Sequence, residues 1–349
     1  MKNKGLGALI IVPVLSIIIS FLIGCIIIAA LGASPADAMR YLWKGAFGNV
    51  RNLGTTFSRS TPLIFTTLCA CFAYRCGVFN LGGEGQFIIG SILACYIATK
   101  SPLTGAAAIL LCAVAGAVGG GLWAALAGLL KVYRGQNEMI ITIMLNYVAT
   151  LLMGVVYTNW LRDGSVPQTV AVPDATQLPS FLGLRATIAF PIAVLAGIFI
   201  FYFLFYTSSG FQLRAVGLNM TAAKVNGFNV KRYLLMSFIV SGAIAGLGGA
   251  LELLGTQLRL INGFGAGYGF DGVAMALIAS LHPLAGILVA VFFAALRVGS
   301  TTMQTATGVP TSVSDIIQAL VIVFTVAGMA MVKLPEFKSR FQRKAQKEA

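Results

Sequence analysis

The chain has 349 residues, a formal net charge of +14, 58% hydrophobic residues and only 10% charged ones. A soluble domain carries about a quarter charged residues, so a soluble globular protein is excluded and a chain of membrane-crossing helices is expected. Neither a Gly-x-x-x-x-Gly-Lys-Ser/Thr run nor a His-Glu-x-x-His run occurs, which removes an ATP phosphate loop and a zinc protease from consideration.

The first apolar run, Leu6 to Leu31, is broken only by Pro13, Ser16 and Ser20. It exceeds the core of a secretory signal and further apolar runs follow, so it is expected to be a retained helix. Charges, prolines and polar loops delimit further spans at 60–76, 86–99, 104–130, 137–158, 187–206, 234–254, 270–280, 283–298 and 313–332, with the first at 8–31. The eighth and ninth are short and are expected to form a broken pair around His282-Pro283. About ten helices put both termini on one side. The basic residues Lys2, Lys4, Lys131, Arg134, Arg214, Lys224, Lys231, Arg232 and the tail 333–349 make that side cytoplasmic. Such a tail behind a span speaks for membrane orientation and against nucleic-acid binding.

Loop 159–186 is then external and ordered, with Pro167, Pro173 and Pro179 among polar residues. Residues 34–59, with Arg40, Lys44, Arg51 and Arg59, oppose this orientation. An interfacial amphipathic helix with Tyr41, Trp43 and Phe47 facing lipid accommodates them. The expectation is one transmembrane domain over 1–349, with no separate soluble domain. No internal repeat is evident, although 115–126 and 245–254 share an Ala-Gly-rich character. The 40 glycines read as helix packing. The six cysteines have no paired spacing or histidine cluster, so they read as small buried apolar groups and no metal is expected.

The stretch with the most chemistry is Gly77-Val78-Phe79-Asn80-Leu81-Gly82-Gly83-Glu84-Gly85-Gln86. Its four glycines resist regular helix, and non-helical backbone at membrane depth survives only inside protein or along a wet cavity. A carboxylate there is costly and usually functional. Phe79, Asn80, Glu84 and Gln86 are therefore candidates to line or brace a translocation path. Asn137 and Asn146 can bond a polar ligand or, equally, neighbouring helices. Asp271 can be a ligand or a helix cap. Glu252, near a span end, reads as interfacial, and His282 as structural. Residues 207–233 form the longest cytoplasmic loop. In it the alanine-rich Thr221–Val225 suits a short docking helix or an ordinary basic loop.

The Gly77–Gln86 run resembles the signature of the sugar/nucleoside branch of ABC importer permeases, which usually reads Gly-x-Phe-Asn-Ile-Gly-x-Glu-Gly-Gln. Leu213-Arg214-Ala215-Val216-Gly217-Leu218-Asn219, continuing through Ala222-Ala223-Lys224 to Gly227, resembles that family's cytoplasmic coupling segment. Gly269–Ala274 through His282-Pro283-Leu284 resembles its late pore motif. The likeness covers about 60–332 and is strongest to permeases of nucleoside importers that use a lipoprotein receptor. It implies an all-α, type II-like permease in the bacterial cytoplasmic membrane. It also implies ABC ATPase subunits docking on Arg214, Gly217, Ala222, Ala223, Lys224 and Gly227, a second permease expected to be a paralogue, an external substrate-binding lipoprotein, and no cofactor or covalent chemistry. A permease for a simple sugar such as ribose is the nearest alternative. An ion-coupled transporter using Glu84, Asp271 and Asp315 is a further one. An intramembrane enzyme lacks a partner for the lone histidine.

Overall fold

A computed structural model describes residues 3–181 and 186–333. The tail 334–349, which carries five of the basic residues used for orientation, lies outside the described residues, as do Lys2 and Arg185. The chain divides into two compact units, Met1–Asn52 with Ala295–Ala349, and Leu53–Ala294.

In the first unit α1 (Asn3–Ala30) packs along α13 (Ser312–Lys333). Small residues set the approach: a Cβ at Gly24 would lie 2.5 Å from the Ile317 side chain, and one at Gly328 would lie 2.7 Å from that of Val12. Between them in sequence, α2 (Pro35–Phe47) starts with Pro35 behind the cap Ser34, whose hydroxyl accepts from Asp37 N at 3.3 Å. It buries Ala38, Leu42, Gly45 and Ala46 on one face, against the C-terminal half of α12 (Pro283–Thr307). Trp43 and Phe47 are exposed and stacked, as an interfacial helix requires, while Tyr41 is half-buried. The expected 34–59 segment is nevertheless two elements, because α3 (Val50–Arg75) begins at Val50 and not at 60.

The second unit holds most of α3, α4 (Gly83–Lys100), α5 (Gly105–Arg134), α6 (Glu138–Val155), α7 (Ala189–Tyr206), α8 (Ser208–Leu218), α9 (Met220–Val225), α10 (Val230–Glu252), α11 (Tyr268–Ile278) and the start of α12. Its centre is α4, α5 and α10, which meet backbone to backbone. A Cβ at Gly246 would lie 2.2 Å from the Gly116 carbonyl oxygen, and one at Gly120 would lie 2.3 Å from that of Gly242. The similar composition of 115–126 and 245–254 is thus one packing requirement met from both sides. Helix α3 is polar for a buried helix, yet its hydroxyls return to its own carbonyls: Thr66 Oγ1 to Pro62 O at 3.1 Å and Thr67 Oγ1 to Leu63 O at 2.6 Å.

Both α6 and α10 end in a π turn, Val156–Trp160 and Leu253–Gln257. The described part of 159–186 is more ordered than a loop. A hairpin of β1 (Arg162–Asp163) and β2 (Val166–Thr169) is laid on the chain after α10 through Thr169 N to Leu260 O at 3.0 Å and an Arg259–Asp163 ion pair. The all-helical expectation therefore needs this small sheet added.

Among the described residues, seven helices are long and apolar enough to cross a membrane: α1, α5, α6, α7, α10, α12 and α13, with α6 and α10 extended by their π turns. Two expectations are corrected here. The 283–298 span is not short, since α12 runs to Thr307, whereas α11 is short as expected. The region 207–233 is not a loop: two helices fill it, because Thr207 caps α8 by accepting from Gly210 N at 3.1 Å and Asn219 caps α9 by accepting from Ala222 N at 2.9 Å.

The backbone contact at Gly246 makes a direct prediction. Gly246→Leu should cost at least the ~1–3 kcal/mol of an overpacked core, read as a sharp fall in monodisperse protein recovered in detergent. Gly154→Ala, where a Cβ has only Tyr157 Oη at 3.9 Å, should match the parent. Equal recovery of the two variants would contradict the close packing.

Candidate functional site

The site forms where α3 ends and α4 begins. Gly77, at φ 75°, closes α3 in the left-handed conformation, its N–H donating to Tyr74 O at 3.1 Å and that of Val78 to Ala73 O at 3.2 Å. The chain then turns back along α3. Asn80 Nδ2 comes within 3.8 Å of Cys69 Sγ, and Cys69 Sγ within 3.7 Å of Gln86 Oε1. At a rise of 1.5 Å per residue, Cys69 is roughly 9 Å back from the end of α3. Helix α4 consequently begins inside the unit and not at its edge.

A helix starting there exposes its first N–H groups to an interior without water. The N-cap position of α4 is Gly82, which has no side chain to cap with. Neighbouring residues supply the acceptors. Asn80 Oδ1 accepts from Gly82 N at 2.9 Å, and Asn146 Oδ1, from α6, accepts from Gly85 N at 2.8 Å. Asn146 Nδ2 donates to Leu81 O at 2.9 Å, and Thr142 Oγ1 accepts from Leu81 N at 3.3 Å. Asn80 and Gln86 form a reciprocal amide pair, Asn80 Nδ2 to Gln86 Oε1 at 3.1 Å and Gln86 Nε2 to Asn80 Oδ1 at 3.0 Å. A further bond runs from Asn80 Nδ2 to Ser241 Oγ of α10 at 3.0 Å. Both amides are 1% exposed.

Glu84 faces elsewhere. It is half-buried, and its Oε2 accepts at 3.0 Å from the N–H of Gly267, the left-handed N-cap position of α11. A Cβ at Gly269 would lie 2.4 Å from Glu84 N, so the two helix starts interlock. Helix α11 then follows α3, with Gly272 seated on Thr66, and ends beside Arg75. Two helices thus begin at one point, with a carboxylate between their positive ends.

The structure therefore brings Asn80, Gln86 and Asn146 into one buried network, with Glu84 at its border. Phe79 is exposed and leans on Tyr74 at 5.0 Å between ring centres. Asn137 is exposed and caps α6, accepting from Met139 N at 3.0 Å. Asp271 is half-buried in the first turn of α11 but does not occupy its cap position, which is Gly267. Ser241, Thr142 and Gly267 were not legible as site residues, since each acts through a residue distant in sequence. The reading of Glu252 as interfacial is corrected: it is 1% exposed, and its Oε2 has no hydrogen-bond partner among the described residues. His282 stacks on Phe205 at 5.5 Å and accepts from Ala285 N at 3.4 Å, a structural position.

In α8 and α9 the nominated residues divide. Ala222, Lys224 and Gly227 are exposed, as are Leu218 at 89% and Val225 at 83%. Ala223 is buried, Arg214 lies over the Phe205 ring at 4.9 Å, and Gly217 is pressed on the Arg75 carbonyl.

Seven apolar spans, with two further helices that start at one point within the packed unit, mark a polytopic membrane protein. The chain belongs to the family described as branched-chain amino acid transport system / permease component, whose model matches residues 52–326. It is similar to the guanosine ABC transporter permease protein NupP of Bacillus subtilis, at 33% identity over 92% of this chain and 94% of that protein. It is similar to the nucleoside ABC transporter permease protein NupB of Lactococcus lactis, at 32% over 97% and 96%. A glucose ABC transporter permease protein, TsgB13 of Haloferax volcanii, is 30% identical over 90% and 86%. No solved structure matches. The chain is thus a permease component of a transport system and not an enzyme.

The trans cap predicts a stability order. Asn146→Ala strands the Gly85 N–H and the Leu81 carbonyl, at ~1–3 kcal/mol for each unsatisfied group. Asn137→Ala removes one exposed cap, worth ~1 kcal/mol. The thermal midpoint in detergent should fall further for Asn146→Ala than for Asn137→Ala, and the reverse order would contradict the network.

Proposed function

We propose that the chain is the membrane-spanning subunit of an ATP-driven nucleoside importer. The observation that carries this reading is the likeness along almost the whole chain to two permeases named for guanosine and nucleoside transport. A sugar is the second reading, favoured by the likeness to a glucose permease. Near-complete coverage by ABC permeases leaves the ion-coupled alternative without support.

The finer reading adds α3, α4 and α11 to the seven apolar spans. That gives about ten crossings in a type II-like arrangement, with both termini, α8 and α9 cytoplasmic and 159–186 external. The basic residues Arg134, Lys224, Lys231 and Arg232 support this orientation. The path runs past the joint start of α4 and α11, where Glu84 and Asp271 supply polar contacts and Phe79 an aromatic face suited to a base. A second permease, expected to be a paralogue, completes the pore, and an external lipoprotein delivers the substrate. Separate ATPase subunits dock on α8 and α9, with Leu218 and Val225 as the apolar knobs and Ala222, Lys224 and Gly227 around them.

Two measurements test this. Vesicles holding the whole complex should accumulate radiolabelled guanosine with ATP and not with a non-hydrolysable analogue, and excess unlabelled uridine should compete where glucose does not. Competition by glucose alone would favour the sugar reading. The double substitution Leu218→Glu and Val225→Glu, on exposed side chains, should leave membrane insertion intact and abolish recovery of the ATPase with the tagged permease. Normal recovery would remove the docking assignment.

A further inference from the structure

The end of α3 gathers contacts that the site above does not use. Arg75 Nε donates to Leu281 O at 2.9 Å, and Arg75 Nη2 donates to Ser280 O at 3.2 Å. Both acceptors belong to the turn between α11 and α12, and both residues are non-glycine at positive φ, 52° for Ser280 and 60° for Leu281. Two successive side chains in that region hold a strained backbone that persists only where its surroundings fix it. The Arg75 guanidinium also lies over the Phe205 ring at 5.4 Å, with Arg214 of α8 over the same ring at 4.9 Å. At the backbone, a Cβ at Gly217 of α8 would lie 2.2 Å from the Arg75 carbonyl oxygen. One residue therefore touches α8 on one side and the strained turn on the other. From that turn α11 leads to Gly267 and so to Glu84 at the start of α4.

We infer that Arg75 is a positioning residue that transmits movement of α8 and α9 to α11, and through it to the joined helix starts at Glu84 and Gly267. The inference rests on the importer reading above. Movement of α8 shifts Arg75 through the Gly217 contact and the shared Phe205 ring. Loss of its two hydrogen bonds releases Ser280 and Leu281 from the left-handed region. The turn relaxes and α11 changes its hold on Glu84. A guanidinium is required because its planar fork reaches two carbonyls at once while stacking, which a single ammonium does not. The strained turn would then supply the two arrangements that a coupling route needs, left-handed while Arg75 holds it and relaxed once released.

The test uses the whole complex in vesicles, comparing the parent with Arg75→Lys for complex recovery, ATP hydrolysis and guanosine uptake. Arg75→Lys should assemble and hydrolyse ATP at near the parental rate. Its uptake per ATP hydrolysed should fall about tenfold, within the range of ordinary coupling between sites. Leu281→Gly accepts positive φ without strain, so the turn no longer answers to Arg75, and this variant should likewise assemble and hydrolyse ATP while losing uptake per ATP. Parental uptake per ATP in Arg75→Lys would overturn the inference, as would hydrolysis and uptake falling in proportion, or parental uptake per ATP in Leu281→Gly. A parent complex that shows no ATP-driven uptake would instead remove the importer reading, and this inference with it, before any variant is compared.

Discussion

A helix that begins away from water must have its leading N–H groups accepted by something other than water. In this chain the helix is α4, and the acceptors are Asn80 and Asn146, one from the preceding turn and one from α6. The arrangement around the break follows. The glycines at 82 and 85 let the acceptors approach: a Cβ at Gly85 would lie 2.9 Å from Asn146 Oδ1. Gln86 completes the amide pair that aims Asn80, and Ser241 ties the pair to α10. Once α4 is fixed in this way, Glu84 in its first turn is fixed as well, and with it the beginning of α11.

The network also separates the nominated residues into those bonded around the helix break and those left partly uncommitted. Asn80, Gln86 and Asn146 bond one another and the backbone around the break, so their side chains are committed to structure. Glu84 has one oxygen on Gly267 and keeps part of its surface exposed. The consensus-like run Gly77–Gln86 is thus mostly architecture around a single polar residue that faces the start of another helix.

The membrane class and the helix break at 77–86 were legible because their signals are local: apolar length, and clustered glycines beside a carboxylate. Partners were not legible, because Asn80 meets Ser241 and Gly85 meets Asn146 across long stretches of chain. The early start of α3 was hidden by Arg51, Asn52 and Arg59, which read as a surface segment although the residues between them pack inward. The helical nature of 207–218 was hidden because α8 has no clean apolar face: Leu213 and Val216 are buried while Phe211 and Leu218 are exposed. Glu252 was misplaced for the opposite reason. A carboxylate near the end of a span ordinarily reaches water, and this one is enclosed beside the π turn that follows it.

The seam between α4, α5 and α10 bears on how such a protein can change shape. Helices separated by long side chains slide by changing rotamers, whereas these meet through peptide groups, with no flexible atoms between Gly116, Gly120, Gly242 and Gly246. Interfaces of that kind resist shear. The three helices are packed as a block, with little side-chain slack at their seam. A change of shape in this unit meets less resistance at the elements bordering that block, among them the short α11, than within it.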